Sequence, residues 1–288
     1  NAGHVDGGAY YTTASAATTS FNITAVGNIA DGFGGGVSAD SGVNVLLANN
    51  FFAQATAGAG IYTVGSTSRL QLVHNDVYDH NDGAYGGYFA DPTGQHGNLA
   101  VDPGFVAYTR NGDLADDDLT LAVGSALIDA GAPDFEDADG TVSDVGGGGG
   151  NDLQAIPNGY DWVVSRLGNG DFVTISEAVA VAGHGDRILV YPGLYQEDVN
   201  TGGADVEIDS LAGPEVSAIV GSSTSVRADS GETTAIVDGF TMWAGSHAVY
   251  VTDAEIEFVD CWFRYNYSYS AYVYYLGYAT FTDCLFEE

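Results

Sequence analysis

The sequence contains no lysine and only six arginines, whereas it has 39 acidic residues and a formal net charge of −33. Nucleic acids and anionic membrane surfaces are therefore excluded as partners, because both are bound through cationic patches. The self-repulsion of such a chain must be screened by salt or neutralised by bound cations. Calcium-containing extracellular fluid and high salt both meet this need, and we expect an extracellular or cell-surface location.

Cysteine and long apolar segments are also scarce. Cys261 and Cys284 are the two cysteines of the chain, too few for a disulfide framework. No apolar run is long enough to cross a bilayer, so we expect no membrane insertion.

The chain instead consists of many short apolar runs separated by Gly, Asn, Asp and Ser, which predicts an all-β protein with many turns. In most repeats an apolar residue is followed five positions later by another, and in the others threonine takes one of the two places. The pairs are Ile236/Thr241, Phe258/Phe263, Phe281/Phe286, Thr24/Ile29, Leu47/Phe52 and Leu72/Val77. A second strand recurs as a small residue before a larger one, in Ala248-Val249, Ala271-Tyr272, Ala9-Tyr10, Gly36-Val37 and Gly60-Ile61. Repeats of roughly 22 to 31 residues with two or three strands each predict a parallel β-solenoid, whose turns bury their apolar faces by stacking.

Asparagines mark the strand ends of the first third of the chain. Asn49, Asn50, Asn75 and Asn81 fall at these positions. Side-chain amides there can bond to each other and to the turn backbone, so we expect an asparagine ladder along the stack.

The repeat pattern also continues across the two ends of the sequence. When the ends are joined, Asn1 falls under Asn266, and Ala9-Tyr10 falls under Ala271-Tyr272. We therefore expect the 288 residues to be one period of a structure that continues in both directions.

Two groups of motifs suggest a family. Residues 98–148 contain Asp102-Pro103-Gly104-Phe105, Gly124-Ser125-Ala126-Leu127-Ile128-Asp129-Ala130-Gly131 and Asp137-Ala138-Asp139-Gly140. Residues 161–288 contain a capping box, Thr174 with Glu177, which predicts a short helix near 174–182, followed by Gly185-Asp186-Arg187-Ile188 and Tyr191-Pro192-Gly193-Leu194-Tyr195. The first group resembles the terminal segment, and the second the N-terminal cap and first rung, of bacterial secreted β-helix proteins of the pectin-lyase-like superfamily.

This resemblance covers nearly the whole chain, but in inverted order. It implies an all-β, right-handed parallel β-helix in two halves with one short capping α-helix. The expected domains are 1–148, the C-terminal half of a β-helix with its terminal segment, and 161–288, a cap and first rungs that continue into the next unit. Residues 149–160 form a Gly-rich linker between them.

The inversion leaves uncapped rungs at both ends, which would invite strand addition. We expect residues 270–288 to stack on residues 1–20 of a neighbouring unit, and a head-to-tail contact of this kind generates a filament. The predicted interface residues are Phe281, Cys284, Phe286, Asn1, Ala9 and Tyr10. Three forms stay open: a repeat of a longer polypeptide, a self-complementing subunit, and a circular permutant that closes on itself.

Two acidic segments are candidate calcium sites. Asp137, Asp139 and Asp144, with the backbone of Thr141, have the alternating oxygen spacing that calcium favours. The second segment contains Asp113, Asp116 and Asp118. The alternative for both is a set of solvated turn acids.

The two cysteines occupy equivalent positions in successive rungs, so their side chains should lie one strand spacing apart, roughly 4.8 Å. Either a disulfide or a stack of free thiols is compatible with this spacing.

Because the superfamily includes polysaccharide lyases and glycoside hydrolases, an enzyme must be considered. Asp238, Asp260 and Asp283 are predicted to stack in one column, and a hydrolase needs two facing carboxylates. A lyase would need a basic residue near the abstracted proton, yet only Arg227 and Arg264 lie in the rungs and lysine is absent. We therefore expect no catalytic residues, since the fold alone does not imply activity.

Tyr265, Tyr267 and Tyr269 alternate along the chain and are predicted to line one strand face. That face would suit carbohydrate stacking or lateral packing between filaments, and stabilising aromatic stacks are the alternative. Together, these features predict a structural unit of an extracellular filament or surface fibre. The alternative is an extracellular carbohydrate-binding or polysaccharide-degrading β-helix.

Overall fold

The structure is a computed structural model that describes residues 2–3, 7–13, 15–149, 152–153 and 157–287. It divides into two compact units, Asn1–Gln154 and Ala155–Glu288. Both are parallel β-helices, as the sequence predicts, and the described residues contain a single short α-helix.

The first unit contains fifteen described strands and the 3₁₀ helix Leu114–Asp116. The strands are β1 Ala2–Gly3, β2 Tyr10–Thr12, β3 Ala17–Phe21, β4 Thr24–Val26, β5 Ile29–Ala39, β6 Asn44–Ala48, β7 Phe51–Ala53, β8 Ala57–Thr63, β9 Arg69–Val73, β10 Asp76–Tyr78, β11 Tyr85–Gly87, β12 Phe105–Ala107, β13 Asp118–Leu121, β14 Phe135–Glu136 and β15 Asp152–Leu153.

Three parallel sheets form the walls of this unit. One contains β3, β6 and β9, the second contains β4, β7 and β10, and the third contains β1 and β2 with β5, β8 and β11. The interior is apolar, with Val37, Leu47, Phe52, Ile61 and Val77 all buried. Each turn of the chain contributes one strand to each sheet, so the core is a stack of side chains at equivalent positions.

A left-handed residue recurs where the first sheet passes into the second. Asn22, Asn49 and His74 have φ of 52°, 58° and 51° at these corners. Asparagine is among the non-glycine residues that tolerate this conformation, which explains its use there.

Asn50 and Asn75, which follow the corners Asn49 and His74, belong to the predicted ladder, and Asn98 extends it. Asn75 Oδ1 accepts from Asn50 N and Asn50 Nδ2, each at 3.0 Å, and Asn75 Nδ2 donates to Asn98 Oδ1 at 3.2 Å. All three amides are buried. The ladder is therefore Asn50, Asn75 and Asn98.

The other two asparagines of the prediction are not in the ladder. Asn49 Oδ1 accepts from Ala132 N at 2.7 Å, and the exposed Asn81 donates to Thr56 O at 2.7 Å. Their side chains do not join the ladder, since Asn49 occupies the corner itself and Asn81 lies in the following turn.

Residues 98–149 cover the outer face of the sheet β4, β7, β10. Phe51 and Ala53 point outward from β7 and pack with Leu127 and Val145. Phe105 meets Phe51 edge to face at a centroid distance of 5.4 Å. Within this cover, β12 and β13 are antiparallel, and so are β14 and β15. Strand β15 lies inside the predicted linker 149–160, which is therefore not wholly irregular.

The second unit contains fifteen strands and the helix α1, Ile175–Val181. The strands are β16 Trp162–Val164, β17 Arg187–Val190, β18 Gly193–Tyr195, β19 Val199–Asn200, β20 Glu207–Ser210, β21 Ser217–Gly221, β22 Thr224–Ala228, β23 Ala235–Asp238, β24 Thr241–Ala244, β25 His247–Thr252, β26 Glu255–Val259, β27 Trp262–Phe263, β28 Tyr269–Tyr274, β29 Tyr278–Thr282 and β30 Leu285–Phe286.

These strands again form three parallel sheets. Their orders are β16-β17-β20-β23-β26-β29, β18-β21-β24-β27-β30 and β19-β22-β25-β28. Helix α1 packs Ile175, Ala178 and Val179 onto the apolar interior beside Val164, at the β16 end. Its capping box between Thr174 and Glu177 is present, so the predicted capping helix is confirmed.

The strand pairing differs from the register predicted for two of the repeats. Val237 and Met242, not Ile236 and Thr241, pair with Phe258 and Phe263. In the first unit, Ser20 and Ala25, not Thr24 and Ile29, pair with Leu47 and Phe52. A slip of one residue turns a side chain to the opposite face of a strand.

Candidate functional site

The end of the second unit opposite α1 is an open rung. Strands β28, β29 and β30 are the last strands of the three sheets, and each has a partner on one side within the described residues. Their unpaired edges present backbone N–H and C=O groups of the kind that another strand can satisfy.

The interior of this rung is aromatic. Phe281 stacks on Phe258 at a centroid distance of 5.4 Å, and Phe286 stacks on Phe263 at 4.6 Å. Phe286 is 50 % exposed, and Cys284 between them is half-buried. The structure thus brings the predicted interface residues Phe281, Cys284 and Phe286 onto one surface, whose other face none of the described residues of this unit covers.

The first unit has a corresponding edge rung, formed by β2, β3 and β4. Tyr10 pairs with Val37, as the sequence predicts, and packs its ring on Phe52 at a centroid distance of 6.4 Å. Ala9 N donates to Gly36 O at 2.9 Å. Asn1, the remaining predicted interface residue, lies outside the described residues.

The two cysteines lie in adjacent rungs, and both are free thiols. Trp262 pairs with Leu285, which places the preceding residues Cys261 and Cys284 at equivalent positions. They directly follow the left-handed corner residue, as Asn50 and Asn75 do in the first unit, so a pair of thiols takes the place of the amide ladder.

The tyrosines Tyr265, Tyr267 and Tyr269 do not lie on one strand as the sequence predicts. Tyr265 is in a turn with φ of 53° and packs against Trp243, and Tyr267 precedes the strand. The prediction that Tyr265, Tyr267 and Tyr269 line one strand face is therefore wrong, because the strand begins only at Tyr269.

An aromatic surface nevertheless exists on the sheet β19-β22-β25-β28. Tyr272 stacks on Tyr250 at a centroid distance of 5.6 Å and lies 6.0 Å from Tyr269 and 6.1 Å from Tyr274. His247 stacks on Tyr269 at 5.6 Å. We call these five residues the aromatic platform. Sequence reasoning missed Tyr250 and His247, which come from the preceding rung.

The first acidic segment forms a hydrogen-bonded turn around Gly140. Asp137 accepts from Asp139 N at 3.3 Å, Asp139 accepts from Thr141 N at 3.0 Å, and Asp144 accepts from Asp129 N at 2.9 Å. The hydrogen bond from the Thr141 hydroxyl lowers the pKa of Asp139.

In the second segment each carboxylate bonds to a nearby group of its own. Asp113 accepts from Ala115 N, Asp116 from Asn111 Nδ2 and Asp118 from Thr120 N, each at 3.0 Å. Within the part of the chain that the structure describes, no three His, Cys, Asp or Glu side chains converge as metal ligands would.

Arg187 organises an ionic cluster that the sequence did not reveal. Its guanidinium bonds to Glu207 and Asp209, each at 2.8 Å, and lies 4.4 Å from the ring centroid of Tyr160. Burial raises the pKa of Asp209 to about 6. The strand pairing Arg187–Glu207 places these charges side by side; the only sequence signal was their equivalent place in successive repeats.

The predicted column of Asp238, Asp260 and Asp283 is not present in the structure as one column. Asp238 pairs with Asp209 and with Val259, whereas Asp260 and Asp283 occupy the following left-handed corner, with φ of 43° and 53°. Asp238 is therefore not level with the other two.

No helix among the described residues is both long and apolar enough to cross a membrane.

Neither a family model nor a curated protein matches this chain. Among solved structures, it is similar to a crystal structure of a pectin methylesterase mutant in complex with a hexasaccharide. The identity is 18%, the match covers 45% of this chain and 50% of the enzyme, and the TM-score is 0.39. The chain thus spans about half the length of that enzyme, and a similarity of this size concerns the fold alone.

Proposed function

We propose that this chain is a structural β-helix unit of an extracellular filament or surface fibre, in which residues 270–288 of one copy stack on residues 1–20 of the next. The observation that carries the proposal is the open rung β28–β30. The three parallel sheets all end at this rung, each in an edge strand, and the aromatic interior between these strands is partly exposed.

The order of strands at the two edges supports this contact. After β30 the next turn of the solenoid would need a strand for each of the three sheets, in the order that β2, β3 and β4 supply. The corner also matches, because Asp283 and Asn22 have φ of 53° and 52°.

The interior side chains at the two edges are complementary in size. The open rung presents Phe281 and Phe286, and the equivalent positions of the first unit are the small Ser20 and Ala25. Tyr10 in turn would lie over the small Ala271. Alternation of large and small side chains between layers is how solenoid and barrel interiors reach close packing.

The charge distribution favours the same two surfaces. Charged residues make up 16% of the chain, yet residues 7–30 and 265–282 contain none. Two edges that carry few charges can approach each other on an otherwise anionic protein, whereas contact between more highly charged surfaces is opposed by repulsion. Calcium or other cations held by the acidic turns around Asp137 and Asp113 would reduce this repulsion further, and the proposal assigns no catalytic residue.

Complementary variants test the stacking directly. We expect Phe286→Asp and Ala25→Asp each to reduce filaments to monomers, because each introduces a charge into one of the two faces. Mixed together, they should form 1:1 dimers and nothing longer, since each variant keeps one intact face. Sedimentation velocity and electron microscopy at moderate salt measure the outcome.

Tyr267→Asp is the matched control, because Tyr267 is 85 % exposed and lies outside the three edge strands. It should assemble like the wild type. Isolated compact particles of the wild type at every concentration would defeat the proposal.

A second function, carbohydrate binding, is favoured by the aromatic platform. Stacked and exposed tyrosine rings suit the apolar faces of sugar rings, and a chain of this charge would disfavour acidic polysaccharides.

We expect Tyr272→Ala to weaken binding of a neutral polysaccharide by about tenfold or more, since Tyr272 contacts all four other rings of the platform. Affinity electrophoresis over a panel of soluble neutral glycans measures the effect, with Tyr267→Ala as the control. Equal retardation of the two variants, or no retardation of the wild type, would argue against this function.

A further inference from the structure

Cys261 and Cys284 are placed for direct sulfur chemistry. Leu285 N donates to Cys261 O at 2.9 Å, so the two corners are joined by the regular ladder of parallel strands. Adjacent strands lie roughly 4.8 Å apart. This separation is inside the range of about 4.4 to 6.8 Å between the Cα atoms of disulfide-bonded cysteines.

The two thiols differ in their surroundings. Cys261 is fully buried, and its Sγ contacts Val259 O at 3.2 Å and Val237 O at 3.5 Å. Cys284 is half-buried at the open rung, and its Sγ contacts Thr282 O at 3.3 Å. A molecule in solution can therefore approach Cys284, whereas Cys261 lies behind it.

The thiols also differ in pKa. The neighbouring Cys261 thiol lowers the pKa of Cys284 to about 7, while burial raises the pKa of Cys261 well above its usual range. The thiolate is the nucleophile in disulfide exchange, and it forms most readily at Cys284.

We propose that Cys284 and Cys261 form a thiol–disulfide exchange site for small-molecule disulfides, in which Cys284 attacks and Cys261 resolves. The Cys284 thiolate attacks one sulfur of the small disulfide, which breaks the S–S bond, forms a mixed disulfide and releases one thiolate. The Cys261 thiol then loses its proton to solvent and attacks Cys284 Sγ, which releases the second thiolate. In sum, two protein thiols are oxidised to one disulfide and the small disulfide is reduced to two thiols.

The product fastens the open rung to the rung beneath it. Strand β30 has only two residues and is held by β27 and by the ion pair of Arg264 with Glu287 at 2.8 Å. A disulfide one residue before β30 would tie it covalently to the corner before β27. Both thiols belong to one unit, and the stacking proposed above would cover Cys284, so the exchange reaction takes place on a copy whose open rung is not stacked.

The experiment treats the full chain with oxidised glutathione and follows its intact mass with time. The wild type should lose the mass of two hydrogens and accumulate little mixed disulfide. Cys261→Ser should stop at the adduct with one glutathione, because its resolving thiol is missing. Cys284→Ser should react at least about tenfold more slowly than the wild type, because its remaining thiol is buried.

Equal rates for the two serine variants would overturn the assignment, and so would a wild type that stops at the glutathione adduct. Hydrogen exchange of residues 255–287 confirms that each variant is folded. Sedimentation of the same samples shows whether copies are stacked, so a failure of stacking is distinguished from a failure of exchange.

Discussion

The Asn75→Ala substitution is expected to lower the free energy of unfolding of the first unit by about 4 kcal/mol. Asn75 is fully buried, its Oδ1 accepts from Asn50 N and Asn50 Nδ2, and its Nδ2 donates to Leu47 O at 2.8 Å. Alanine would leave the two Asn50 donors without this partner at a buried site, whereas Asn98 Oδ1 would keep the bond at 3.1 Å from the backbone N–H of residue 75. Each such group costs about 1–3 kcal/mol, so the effect exceeds the loss of one ordinary hydrogen bond.

Asn81→Ala provides the matched control for this prediction. The Asn81 side chain is exposed and donates one hydrogen bond, to Thr56 O at 2.7 Å, so the loss of this side chain should cost about 1 kcal/mol or less. Urea denaturation together with hydrogen exchange of residues 44–78 measures both variants. Equal destabilisation by the two substitutions would show that the buried ladder has no special part in stability.

The ladder also shows how far the sequence alone could go. Asn50 and Asn75 follow apolar runs of regular spacing, so their place at a corner was predictable. Asn98 comes after a longer irregular segment and lacks the apolar partner that marked the other repeats, so nothing in the spacing placed it in the same column. Its membership depends on the parallel bridge between Asp76 and Leu99.

The register errors have a related physical cause. In the first unit the true interior residues of the edge rung are Ser20 and Ala25, which carry no apolar signal of their own. The left-handed corners mark the register better than the apolar residues do. Asn22, Asn49 and Asp283 all occupy such corners, although the residues next to them differ from one rung to another. Aligning on these polar residues would have placed Ser20 correctly.

Of the two parts of the candidate site, the sequence could predict the open rung but not the aromatic platform. The open rung follows from the repeat pattern at Phe281 and Phe286, which the structure places together. The aromatic platform does not, because Tyr265 adopts a turn conformation and Tyr250 arrives from another rung. Contacts between rungs depend on strand pairing, which the alternation within one strand does not reveal.

Asp76→Asn is expected to raise the free energy of unfolding of the first unit at pH 8 by about 4 kcal/mol and to leave it nearly unchanged at pH 4. The Asp76 side chain is fully buried; its Oδ1 accepts from Val101 N at 2.8 Å, and its Oδ2 has no hydrogen-bond partner among the described residues. Burial raises the pKa of Asp76 to about 7, and the nearby charge of Asp102 adds to this, whereas the bond from Val101 opposes it.

The sign of the effect follows from proton binding by the two states. An unfolded aspartate loses its proton near pH 4, whereas the folded chain retains the Asp76 proton up to about pH 7. The native state is therefore favoured at acid pH, and this contribution falls as the pH rises from about 4 to 7 and then levels off. Asparagine keeps the acceptor for Val101 and carries no charge, so the variant should lose this part of the pH dependence.

Urea denaturation at pH 4, 6 and 8 measures the difference between variant and wild type, in which the titration of other groups cancels. Asp82→Asn is the control, because Asp82 is an exposed carboxylate in the same region that accepts from Gly58 N at 2.8 Å, a bond that asparagine can also accept. It should change stability by about 0.5 kcal/mol or less at each pH. A stability difference for Asp76→Asn that is the same at pH 4 and pH 8 would mean that the buried carboxyl group does not hold its proton in the folded state.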